Sequence, residues 1–332
     1  MIEILRYAPG SADPVRRTID DLAADSKADD GVVWVDCQAP AAEELRALFE
    51  VLQINEFVRE DLTKAGQRTK LAHYDSHSYV AVYDCALHHD GLRTREIDIV
   101  FGTSWLLTVR QTPDEADPGP FPIDHVRRVF ELQLVRHEHA PVGFLLWAFL
   151  DAIVDRYFVV TEQVDDRLDD AEEAVLADER SEGAATPRPM QLFSLGKALV
   201  RFRRAAIPLR DVVAEIVRRE VPYIDGGALT HFQDLADHVL RVSDFVESQR
   251  DVLTSLRDAE LSLASNRMSL VQQKIAAWGA IFLVATLVTG VLGMNFRDAP
   301  GLSWGMGFLA IGGIMLVLCV PMYLYFKRKS WV

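Results

Sequence analysis

The sequence predicts an α/β cytoplasmic domain followed by long helices and a C-terminal two-helix transmembrane hairpin. Three observations predict it. Short β-branched and aromatic runs alternate with helical patterns over roughly residues 1–140. Residues 228–278 then contain neither proline nor glycine. Finally, Ile275 to Leu292 and Gly301 to Phe326 carry no charge, and at ~1.5 Å of rise per residue each is long enough for a ~30 Å hydrocarbon core.

The elements follow in order. Residues 32–37 (VVWVDC), 78–87 (SYVAVYDCAL), 96–101 (EIDIVF) and 104–110 (SWLLTVR) read as strands, the last two joined across Gly102 and Thr103 as a hairpin. PAAEELRALFEVL and PIDHVRRVFELQLV have helical spacing. From Pro141 strand signals stop: VGFLLWAFL is interrupted by Asp151, Asp155 and Arg156, so it reads as the core-facing start of a helix and not as a membrane span. Its continuation, residues 161–182, holds ten acids against two arginines, which marks a solvated face. A second helix runs from about Met190 to Glu220 and is closed by Pro222 and Gly226-Gly227. In the next segment Phe232, Leu235, Val239, Val242, Val246, Leu253, Leu256 and Leu263 recur by threes, fours and sevens, a packing seam on one helix that continues to about Asn295, a rod near ~100 Å long.

The expected division is therefore residues 1–140, an α/β domain; 141–273, a long-helix region; 274–295, a first span; 296–301, an external loop; 302–326, a second span; and 327–332, a basic tail. Arg267 and Lys274 precede the first span, Lys327, Arg328 and Lys329 follow the second, and the loop offers only Arg297, which places both termini in the cytoplasm. The opening residues MIEILRYAPG have no secretory or transit character. Cys37, Cys85 and Cys319 form no CxxC pair and read as small buried residues. A net charge of -14 argues against a nucleic-acid partner and is compatible with cation handling. No phosphate-loop motif and no Gly-x-Ser-x-Gly elbow occurs, so neither an enzyme nor an organic cofactor is expected.

Within the first span Ala276, Gly279, Leu283, Thr286, Gly290 and Gly293 share one face, and most are small. Small faces allow close helix packing, or they line a narrow path; two helices cannot enclose a pore, so such a path must be shared between copies. At its mouth stands Asn295, whose amide oxygen is a neutral acceptor for the water shell of a divalent ion.

Gly293-Met294-Asn295-Phe296 at the end of the first of two C-terminal spans, with YFKRKSWV closing the chain, resembles the CorA family of magnesium transporters, whose signature is that tripeptide. VREDLTKAGQRTKLAHYDSHSYVAVY is similar to that family's glutamate-aspartate and glutamine-arginine segment, and HFQDLADHVLRVSDFVESQRDVLTSL to its long helix. The resemblance implies a funnel-shaped homopentamer in the plasma membrane that admits hydrated Mg2+, with Co2+ or Ni2+ as further cargo. By motif position it gives Asn295 the entrance, with Gly293 and Met294 shaping the turn. It places Thr286 and Gly290 on the pore, Leu283 at a hydrophobic constriction and Ile275 at the cytoplasmic gate. Asp90 and Asp234 match a carboxylate pair that binds regulatory Mg2+ between subunits.

Departures accompany the matches. Leu292 replaces an aromatic residue, Val284 a proline and Ser269 a second pore asparagine, with Gln272 one turn further on. The loop FRDAPGLSW has Gly301 where many members carry an acid, which leaves a Zn2+ transporter of the same superfamily, with or without proton coupling, as the alternative. A membrane-anchored scaffold is the third reading.

Overall fold

The computed structural model describes residues 1–28, 31–111, 117–136, 142–180, 189–218, 221, 223–224, 226–292 and 304–331. They form two compact units, Met1–Ser255 and Leu256–Val332.

The first unit is built on a seven-stranded sheet of β1 (Ile2–Tyr7), β2 (Val15–Arg16), β3 (Val32–Gln38), β4 (Lys70–His73), β5 (Ser78–His88), β6 (Gly91–Phe101) and β7 (Trp105–Arg110), in spatial order β2-β1-β3-β7-β6-β5-β4. Only β3 and β7 pair in parallel; the other neighbours are antiparallel. The hairpin at Gly102 is as predicted, with Phe101 opposite Leu106. Glycine is required there because a Cβ would sit 2.7 Å from the Trp105 indole nitrogen.

Side chains alternate across a strand, so β3 serves two cores. Val33, Val35 and Cys37 face α1 (Ile19–Asp25), α2 (Ala42–Val51) and α3 (Glu56–Thr63), packing with Leu22, Leu48, Phe49, Val58 and Leu62. Trp34 points the other way, its ring edge-on to Phe149 at 5.5 Å. That second face is covered by α4 (Ile123–Arg136), α5 (Val142–Arg180) and α6 (Pro189–Val217). Burial on both faces explains why VVWVDC is an unbroken apolar run up to Asp36. Cys37 and Cys85 are buried, and burial pushes both thiols up. Phe144 to Leu146 and Phe149 to Leu150 are also buried, as expected of a core-facing helix start.

A buried ion network ties α5 to the sheet. Asp84 on β5 is fully buried; Arg95 on β6 donates to it at 2.7 Å and Arg156 on α5 donates through Nε. The remaining Arg156 nitrogens donate to the carbonyls of Pro120, at 3.3 Å, and Pro118, at 3.1 Å.

The 67-residue helix α7 (Gly226–Leu292) runs on from the first unit into the second. Its predicted seam is real: Phe232, Leu235, Val239, Val242, Val246, Leu253 and Leu256 are buried, and Leu263 is half-buried. The second unit contains the rest of α7 and α8 (Trp304–Arg328). Its apolar stretches differ from soluble core helices in one decisive way: only 6% and 0% of their most apolar windows are buried. So much exposed apolar length needs lipid or further copies around it.

Candidate functional site

On a helix advancing ~100° per residue, Ser269, Gln272, Ile275, Leu283, Thr286 and Gly290 fall within an arc of ~120°. All six are exposed in the single chain, Ile275 by 67% and Leu283 by 70%. The opposite side of the same helix is the covered one, with Ala277 buried and Ala280, Ile281, Val284, Ala285 and Val288 half-buried. The matching stripe on α8 is Ile311, Met315, Cys319, Met322, Tyr323 and Phe326, again at threes and fours. Trp278 meets Tyr323 between them at 6.3 Å. The hairpin thus closes on one side of α7 and leaves the predicted path-lining side uncovered.

The chemistry of that open arc suits a hydrated cation. Thr286 Oγ1 donates to the Phe282 carbonyl at 2.7 Å, and Ser269 Oγ donates to the Ser265 carbonyl at 3.0 Å. Each hydroxyl proton is committed to the backbone, so the oxygen offers only lone pairs outward. Waters bound to a divalent ion are donors and require such acceptors. Gly290 and Gly279 have nothing within 4 Å of a would-be Cβ, so packing within the chain does not explain them. Gly293, Met294 and Asn295 lie outside the described residues.

Asp90 sits in the turn between β5 and β6, exposed, with Arg93 donating to it at 3.0 Å; that hydrogen bond holds its carboxyl below the usual range. Asp234 is exposed on α7, with the His238 imidazole 4.0 Å away. No hydrogen bond or ion pair joins Asp90 to Asp234 within the chain. Among the described residues no group of three or more His, Cys, Asp or Glu side chains is arranged to hold a metal.

Asp234 has an acidic neighbourhood that the sequence did not reveal. The Asp151 carboxyl on α5 is pushed up to about 6, by burial first and then by Asp155, with Asp234 adding to the repulsion and His238 and His125 opposing it. Asp151 and Asp155 lie one turn apart, a spacing visible beforehand, but only the packing of α5 against α7 brings them near Asp234. His231 is a packing residue, its ring 4.5 Å from Trp147 and edge-on to Phe144 at 5.5 Å.

A family model described as "CorA-like Mg2+ transporter protein" matches residues 29–328, across both units. The chain is 32% identical over 288 residues to the cobalt/magnesium transport protein CorA of Thermotoga maritima, covering 85% of this chain and 78% of that protein. The zinc transport protein ZntB of Klebsiella pneumoniae is 27% identical over 190 residues, covering 57% of this chain and 56% of its own. Among solved structures, the complete CorA magnesium transporter of Methanocaldococcus jannaschii shares the fold with a TM-score of 0.79 at 24% identity, covering 100% of this chain and 99% of that one.

Proposed function

We propose, from the premise that this chain belongs to the CorA-like Mg2+ transporter family, that it carries Mg2+ into the cell through a path lined by α7 and shared among copies. The observation that carries the reading is the match over residues 29–328, because it includes most of the first unit and both apolar helices. The chain is a divalent-cation transporter, and its named relative makes Co2+ a second cargo to test. Zinc is less well supported, since that match covers 57% of this chain.

The assembly is a homopentamer in the plasma membrane, with residues 274–295 as the inner span, 302–326 as the outer one and both termini in the cytoplasm. Five copies of the open α7 arc face one axis. Ile275 and Leu283 form apolar rings that close when dry. Thr286 supplies a neutral acceptor on the outer side of the two rings, Gln272 and Ser269 supply acceptors on the cytoplasmic side, and Gly290 leaves width for the water shell. Asn295, with Gly293 and Met294 shaping its turn, presents an amide ring at the outer mouth. A divalent ion falling through 100 mV releases ~4.6 kcal/mol, so no chemical step is needed to drive influx.

Regulation is assigned to Asp90 of one copy and Asp234 of the next. Two carboxylates across an interface repel until a hard cation lies between them, so occupancy reports internal Mg2+.

The test is ion flux into proteoliposomes under an inside-negative potential. Saturable Mg2+ uptake, competed by Co2+ more strongly than by Zn2+, is expected, with Asn295→Ala reducing uptake at least severalfold. Absence of uptake in any lipid mixture refutes transport, and preferential Zn2+ uptake replaces the cargo.

A further inference from the structure

The segment containing Gln67 and Arg68 resembles a family motif, yet it has no part in the conduction path described above. In the first unit it forms one wall of a cavity of about 780 Å3, whose other walls are Tyr83 and Thr94 of the sheet and Arg201 and Arg204 of α6. Three guanidinium groups line one space in a chain whose net charge is -14. Arg201 donates to the Leu92 carbonyl at 3.4 Å, whereas the guanidinium groups of Arg68 and Arg204 have no ion pair or hydrogen bond with any described residue.

The wall around Arg68 is rigidly built. Glu96, nearly buried, accepts from the backbone N–H of Gly66 at 2.5 Å and of Gln67 at 3.1 Å. The Tyr83 hydroxyl donates to the Gln67 carbonyl, and Thr69 Oγ1 donates to the Ala205 carbonyl of α6 at 3.5 Å. Glu96 is therefore engaged by the loop it holds, and it forms no ion pair with Arg68, Arg201 or Arg204. Both flanks of Arg68 are held, and its exposed side chain lines the open cavity together with the exposed Arg201 and Arg204, which stand one turn apart. Converging like charges repel one another, and a multiply charged anion relieves that repulsion. Planar guanidinium forks match phosphate oxygens two at a time, and the cavity is of small-molecule size.

We propose that this cavity binds a soluble polyphosphate-bearing anion through Arg68, Arg201 and Arg204. The site uses guanidinium forks where a phosphate loop would use glycine-rich backbone.

The test is calorimetric titration of the full-length protein, in nanodiscs of neutral lipid and Mg2+-free buffer, with tripolyphosphate and with ADP. Saturable binding is expected, weakened about tenfold or more by Arg204→Gln and by Arg68→Gln, the loss expected for one charged contact. Arg203→Gln lies on the same helix off the cavity and should bind as the parent does. Arg204→Lys keeps the charge without the fork and should give a smaller loss, which keeps the test decisive if a glutamine variant assembles poorly. No saturable binding of either probe, or equal loss in Arg203→Gln, overturns the proposal. So does loss of probe binding in parallel nanodiscs that contain anionic lipid, which makes the site a headgroup site, or dissociation of the oligomer in Arg204→Gln, which assigns the arginines to a contact between copies. Mg2+ uptake by the same preparations is read separately, so failure here leaves the transport reading standing.

Discussion

Replacing Arg156 by methionine tests the ion network that anchors α5 to the sheet. Asp84 is fully buried and has two guanidinium partners, Arg95 at 2.7 Å and Arg156, which is itself only 22% exposed. Burial pushes the Asp84 carboxyl up, and Arg156 is the first of the influences that pull it down. Removing one partner of a buried pair costs ~3–5 kcal/mol; Arg95 remains, so ~3 kcal/mol is expected, including the carbonyls of Pro118 and Pro120 left without a donor. At ~2–4 °C per kcal/mol for a unit of this size, melting of the solubilised full chain, followed by tryptophan emission, should fall by ~6–12 °C near pH 8. The sign with pH is fixed. A carboxyl raised in the folded state makes stability fall as pH rises from its unfolded to its folded value, and the variant raises that folded value further. The deficit should therefore grow from acid to alkaline pH. A loss under about 2 °C at pH 8, or one that does not shrink when Asp84 is protonated, refutes the reasoning.

Three further outcomes are expected. Asp234→Ala should leave Mg2+ uptake within about twofold of the parent while shifting inhibition by internal Mg2+ to roughly tenfold higher concentration, one lost charge-assisted contact; unchanged inhibition removes Asp234 from the sensor. Thr286→Val keeps the volume but deletes the acceptor, and should lower uptake severalfold with the oligomer intact on size exclusion; parental flux would take Thr286 off the path. Asp98 accepts from Tyr79 at 2.7 Å, and burial, then Glu96, push its carboxyl up to about 8, so stability falls between about pH 4 and 8. Asp98→Asn should flatten that slope and exceed the parent above pH 8 by on the order of a few kcal/mol; a slope unchanged in melting experiments would mean another group causes it.

The central strands were legible because burial on both faces writes itself as continuous β-branched and aromatic sequence, as in VVWVDC. Outer strands β1, β2 and β4 were not, since IEILRY carries charges and KLAH is only four residues long; partner strands hold them. The long helix was legible from the absence of proline and glycine and from a seam spaced by threes and fours. The α7 arc was also legible, for helical period is a local property. Asp151 and Asp155 near Asp234, and Arg68 near Arg201 and Arg204, are tertiary meetings between segments far apart in the chain. No local period announces them.

The two exposed surfaces of the second unit differ in chemistry, and that difference bears on how copies assemble. Away from its contact stripe, α8 presents Leu316, Val317, Val320 and Leu324, side chains as apolar as lipid tails. The open arc of α7 presents Ser269, Gln272, Gly279, Thr286 and Gly290 interspersed with the apolar Ile275, Leu283 and Leu287. Lipid satisfies the first surface at no cost, but it wastes the outward lone pairs of the second and fills none of the space its glycines leave. A unit with one lipid-like side and one small, acceptor-bearing side has a defined inside and outside before any partner is added. Repetition about an axis that keeps α8 outward turns the α7 arcs toward one another, and the polar positions then find water where a bilayer offers none.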